Sequence, residues 1–75
     1  RDLMTPETSI DIQLNGKRQS FGAGHTVTTL LEALELHPGM VVVELNREIL
    51  DRENYDAIKV VQDDMIELVH FVGGG

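Results

Sequence analysis

From Ile10 the chain alternates, with apolar Ile10, Ile12 and Leu14 separated by polar Asp11 and Gln13. A period of two puts the apolar residues on one face of a β-strand and leaves the other face to water. Asn15-Gly16 follows. That pair tolerates the two positive φ angles of a type I′ turn, so Lys17 to Phe21 is expected to return antiparallel and close a hairpin. After Gly22-Ala23-Gly24-His25 the period changes: Thr26 stands at a helix N-cap position, and Val27, Leu30, Leu31 and Leu34 recur as one helical stripe. The spacing predicts an amphipathic helix over about residues 27–36. His37-Pro38-Gly39 is expected to end it, because the residue before a proline is pushed out of the helical region and glycine permits a reversal.

Met40 to Leu45 is apolar and β-branched, the composition of a largely buried strand. Asn46-Arg47 offers a turn into the short segment Glu48-Ile49-Leu50, and Asp51 to Asp56 is expected to be polar connection. Ile58, Val60 and Val61 lead to a turn at Asp63-Asp64, and Met65 to Val72 predicts a last strand running directly into Gly73-Gly74-Gly75. Arg1 to Ser9 shows no apolar periodicity and contains Thr5-Pro6. It is expected to be a flexible lead-in, with Met4 as a candidate natural start and Arg1-Asp2-Leu3 as a non-native remnant. The order β-β-α-β-β-β provides one helical stripe and one sheet face to cover it. The expected architecture is a two-layer α+β domain over residues 10–72 followed by a flexible glycine tail over residues 73–75.

Seventy-five residues make one domain, and a chain of that size buries only roughly 60% of the surface its unfolded form exposes. There is no room for a cleft between domains. The absence of Cys excludes disulfides, thiolate nucleophiles and Cys-based zinc sites, so stability must come from packing. The longest apolar run, Met40 to Val43, falls far short of the roughly 18 residues a membrane span needs. With no leader pattern at the start, a cytoplasmic location is expected. Thirteen acidic residues against six basic ones give a formal charge of −7. That balance opposes binding to nucleic acid or to an anionic membrane and suits a partner with a basic patch.

Few residues offer chemistry of their own. His25, His37 and His70 lack ligand spacing, and no metal is expected. Gly22-Ala23-Gly24 is not followed by the Lys-Ser/Thr of a phosphate loop and is explained by a strand-ending turn. Asp63 and Asp64 are adjacent, point to opposite sides, and are expected to be solvated turn residues. Ser9 and Ser20 have no base and orienting group arranged around them, so no catalytic residue is assigned. The tail is different. Glycine-rich ends are commonly linkers, but these three glycines follow the last strand without a spacer and close the chain, which points to use of the terminal carboxylate. Beside them, if Ile66 and Leu68 face the helix, alternation sends Val69 and Phe71 outward, where Val42 joins them as an expected partner face.

The order β-β-α-β-β with a helix across the sheet resembles the β-grasp fold. Leu14-Asn15-Gly16, Gly24-His25-Thr26-Val27 with Leu30-Leu31, Leu45 to Glu53, and above all Val61 to Val69 with Phe71-Val72-Gly73-Gly74-Gly75 resemble the ThiS family of thiamine-biosynthesis sulfur carriers, within the ubiquitin-like superfamily. The resemblance spans nearly all of residues 10–75. Asp64, where the family often has Gly, and Asp51, a place frequently taken by Pro, depart from it. It implies that the Gly75 carboxylate is adenylated with ATP and Mg held by a ThiF-like adenylating enzyme, and that AMP is then displaced by sulfur from a donor protein. The thiocarboxylate would serve a ThiG-like thiazole synthase, with Gly73 and Gly74 threading the narrow channel. The chain itself would bind no cofactor and would be a substrate of enzymes. A carrier of another pathway, such as the small subunit of molybdopterin synthase, and a non-covalent ubiquitin-like binding module are the alternatives.

Overall fold

The computed structural model describes residues 9–71. The lead-in before Ser9, the end of the expected last strand at Val72, and Gly73 to Gly75 lie outside the described residues. Strands β1 (Ser9–Leu14) and β2 (Lys17–Gly22) form the first hairpin, in register from Ser9 opposite Gly22 to Leu14 opposite Lys17. Asn15 and Gly16 turn it at φ 49° and 84°, the left-handed pair that a type I′ turn requires. Helix α1 (Val27–Ala33) follows, then β3 (Val41–Leu45), β4 (Glu48–Ile49) and β5 (Met65–His70). The sheet order is β2-β1-β5-β3-β4. The β1–β5 pair is parallel and the other pairs are antiparallel. A parallel pair cannot be closed by a tight turn, so the chain between β1 and β5 crosses one face of the sheet, and α1 lies in that crossing.

Ile12 and Leu14 of β1, Val27, Leu30 and Leu31 of α1, Val41 and Val43 of β3, Ile66 of β5, and Tyr55 and Val60 make the core between helix and sheet. The strand periodicity holds residue by residue: Ile12 and Leu14 are buried while Asn15 to Ser20 are exposed.

The helix is shorter than its hydrophobic stripe. Thr26 caps it as expected: its hydroxyl accepts from the Thr29 N–H at 3.1 Å, and the Thr29 hydroxyl accepts from the Thr26 N–H at 2.9 Å. The helix ends at Ala33, three residues before the expected stop. There the Leu36 N–H donates to the Leu31 carbonyl and the Glu35 N–H to the Glu32 carbonyl, each at 2.9 Å. This closing pattern places Glu35 in the left-handed region at φ 62°, where glycine is the usual occupant. Leu34 is consequently half-buried, while Leu31 is fully enclosed. Glu35→Gly is expected to stabilise the domain by about 0.5 to 1 kcal/mol, as relief of left-handed strain outweighs the added chain entropy of glycine. A higher urea midpoint at unchanged slope would show it.

Asp51 to Asp56 is more than polar connection. A short 3-10 turn (Arg52–Asn54) delivers Tyr55 into the core, where only 2% of it is exposed. Its hydroxyl donates to the Val41 carbonyl at 3.0 Å and accepts from the Val43 N–H at 3.2 Å. Those backbone groups face the side of β3 where the two-residue β4 does not reach, so the Tyr55 hydroxyl stands in for a missing strand.

Candidate functional site

The glycine run can be presented only by the strand that carries it. β5 is the middle strand, and both of its edges are gripped by asparagine side chains from turns. On the β3 side, the Asn46 N–H donates to the Met65 carbonyl at 2.7 Å. Asn46 Oδ1 accepts from the Met65 N–H at 2.9 Å. On the β1 side, the Asn15 N–H donates to the Ile66 carbonyl at 2.8 Å, and Asn15 Oδ1 accepts from the Leu68 N–H at 2.7 Å. Sequence reasoning assigned both asparagines to turns alone. Their short amides, held at φ 49° and 50°, are able to reach neighbouring backbone, and that is the only signal the sequence carried.

The turn before β5 corrects the expectation for Asp63 and Asp64. Asp64 is buried, not solvated. Its Oδ2 accepts from the Val61 N–H at 2.8 Å and its Oδ1 from the Asn46 amide at 3.0 Å, so its polar atoms are satisfied inside the fold. Asp63 takes the left-handed position of the turn at φ 70° and meets Arg18 of β2 in an ion pair. The hydrogen bond from Arg18, then one from Gln62, holds the Asp63 carboxyl below the usual carboxylate range. The same bond from Asp63 raises Arg18. Both groups face water, where screening leaves such a pair little energetic weight.

The expected outward set comes together on the sheet face away from α1. Val42 is half-buried and lies directly opposite Val69. Val69 is 58% and Phe71 48% exposed. Glu44 lies opposite Glu67 on the same face, and Ile49, 72% exposed, pairs with Glu44. Ile49 was missed because β4 is too short to show a period. The histidines are dispersed. His25 bonds Thr29 through Nδ1 at 2.8 Å, His37 Nδ1 accepts from the Gly39 N–H at 3.0 Å in the 3-10 turn Pro38–Met40, and His70 ends β5. Gly24 turns the chain at φ 96° into an isolated bridge between Thr26 and Lys59. No helix among the described residues is long and apolar enough to cross a membrane.

A helix packed on a mixed five-stranded sheet, with the central strand continuing in sequence into three glycines, is the form of a ubiquitin-like β-grasp carrier domain. Residues 12–75 match the ThiS family. The chain is 42% identical over 65 residues to the sulfur carrier protein ThiS of Bacillus subtilis, with 85% of this chain and 98% of that protein covered. It is 44% identical over 64 residues to a thiazole synthase of Magnetococcus marinus. That match takes in 85% of this chain and only 20% of the synthase, so the chain spans about a fifth of that relative. The crystal structure of the thiamine biosynthesis protein ThiS from Geobacter metallireducens superimposes with a TM-score of 0.75 at 39% identity, covering 88% of this chain and 100% of that one. The chain belongs to the ThiS family of sulfur carrier proteins, and the β-grasp fold expected from the resemblance is the fold found.

Proposed function

We propose that the carboxylate of Gly75 is the working group of this protein and that the chain carries sulfur to the thiazole of thiamine in the cytoplasm. A carboxylate oxygen attacks the α-phosphorus of ATP, held with Mg on a ThiF-like adenylating enzyme, and pyrophosphate leaves. Hydrosulfide released by the sulfur donor then attacks the acyl carbon, AMP leaves with the electron pair of the broken C–O bond, a proton is lost to solvent, and the thiocarboxylate remains for transfer to a ThiG-like thiazole synthase. The observation that carries this reading is that similarity to the family runs through residue 75, so the glycines belong to the matched domain. A ThiS-like segment within a thiazole synthase supports that enzyme as the receiver. Glycine suits the channel because, without a Cβ, backbone can be gripped closely from both sides. The chain supplies no catalytic group.

Incubation with ATP, Mg, sulfide and the cognate adenylating enzyme is expected to raise the intact mass by about 16 Da, one oxygen exchanged for sulfur. No gain would leave a non-covalent binding module. Delivery of that sulfur into thiazole by thiazole synthase separates this pathway from the molybdopterin one.

The outer face serves docking in this reading, with Phe71 as its aromatic anchor beside the tail. Phe71→Ala is expected to weaken binding to the adenylating enzyme by more than about 1 kcal/mol. Its melting temperature should barely move, since the side chain is about half in water. Calorimetric titration and a thermal melt test the two halves of that statement.

A further inference from the structure

The last residues of β5 outrun their neighbour on one side. β1 pairs with β5 only at Gln13–Met65 and Leu14–Ile66 before turning away at Asn15. On the other side, β3 follows β5 as far as Val41 opposite His70, and the Phe71 N–H donates to the Met40 carbonyl at 2.9 Å. Because that bond and the one between the Asn46 N–H and the Met65 carbonyl fix the alternation of the antiparallel ladder, Met65, Glu67, Val69 and Phe71 direct their backbone groups to β3. Ile66, Leu68 and His70 direct theirs the other way.

At several other places where a strand here loses its neighbour, a side chain takes an unmatched backbone group. Tyr55 does so for Val41 and Val43, Gln62 Oε1 for the Asp11 N–H at 3.0 Å, and Asn15 Oδ1 for the Leu68 N–H. Past Leu68 the substitution stops. Among the described residues, nothing meets the Leu68 carbonyl or the N–H and carbonyl of His70. The outer edges of the sheet are managed differently: β2 carries Lys17 and Arg18 and β4 has two residues, both common ways of discouraging a further strand. The open edge of β5 has neither protection, and Val69 and Phe71 stand exposed beside it.

We propose that this edge, from the Leu68 carbonyl through His70, receives an extended segment of the adenylating enzyme as an added β-strand. The inference rests on the carrier reading above. Four residues, Val72 to Gly75, follow Phe71, and glycines offer a receptor nothing but backbone N–H and carbonyl groups. A channel that holds them must present matching backbone or polar groups along an extended path, and a strand lining that path continues onto the His70 edge in the same register. The added strand sets the direction in which the tail enters.

His70→Pro tests this, because it removes the one edge N–H and leaves the β3-side bonds of Val69 and Phe71 in place; proline is tolerated where its missing donor faces solvent. The variant is expected to melt close to the wild type while its rate of thiocarboxylate formation at subsaturating carrier falls about tenfold or more, the effect of losing a buried interface hydrogen bond together with its register. In the wild type, the His70 amide should exchange rapidly in the free protein and at least about tenfold more slowly with stoichiometric adenylating enzyme. The Phe71 amide should be protected in both. This second measurement does not depend on the variant folding. Thiocarboxylate formation with a His70 amide that stays fast in the complex would overturn the added strand and leave the carrier reading standing. Absence of thiocarboxylate in the wild type would overturn both.

Discussion

Adding a single residue after Gly75 is expected to abolish thiocarboxylate formation while leaving the fold unchanged. Activation needs the carboxylate in line with the α-phosphorus of ATP, and one extra residue on an extended chain moves it by about 3.5 Å. A misplacement of even about 1 Å can reduce a rate about a hundredfold, so the extended form should give no mass gain within the time the wild type needs for completion. Gly74→Val should be blocked for a different reason. Its branched side chain excludes the close backbone contact that glycine permits and narrows φ. Among the described residues the buried core lies between Ile12 and Ile66, so both variants should melt at the wild-type temperature. If either gains the sulfur mass at the wild-type rate, the tail is not the reactive part and the binding-module reading takes its place.

The second large effect is expected at Leu31, where truncation should threaten the fold itself. Leu31 is 0% exposed at the centre of the core cluster, and its carbonyl also accepts the Leu36 N–H that closes the helix. Leu31→Ala removes buried methyl groups and leaves a cavity that a single short helix cannot collapse, a loss of about 2 to 5 kcal/mol. A domain of this length has only about 4 to 11 kcal/mol in total, so a substantial unfolded population at 37 °C is within reach. Leu34, on the same predicted stripe but half-buried, should lose less on truncation to alanine. Urea denaturation of the two variants measures the difference directly. Equal losses would mean that the early helix stop at Ala33 does not weaken the hold on Leu34.

Much of this was legible along the chain, and the parts that were not share one cause. Ile12 and Leu14 facing the core, Asn15-Gly16 as a type I′ turn, Thr26 as the cap, and the outward direction of Val69 and Phe71 all follow from spacings of one to four residues. Period and turn chemistry report on those intervals directly. The acidic balance and the terminal glycines are likewise properties of composition and order. The helix end was misplaced because Leu34 and Leu36 continue the apolar stripe past Ala33, and a closing pattern with Glu35 at φ 62° is concealed when glycine is not there to signal it. Tyr55 lay among charged neighbours and read as loop; its burial depends on β4 being too short to cover β3. Asp64 read as solvated because its partner Asn46 is 18 residues away.

Asn15 and Leu68, whose bond caps the inner part of β5, are 53 residues apart. The sequence by itself determined which face of each element meets water, where the chain turns, and that the last strand is followed by three glycines. Only the tertiary structure decided which backbone groups find a partner. That outcome depends on the relative lengths and register of strands distant in sequence, β1 beside β5 and β4 beside β3, and a hydrogen bond across such a gap leaves no local period to read.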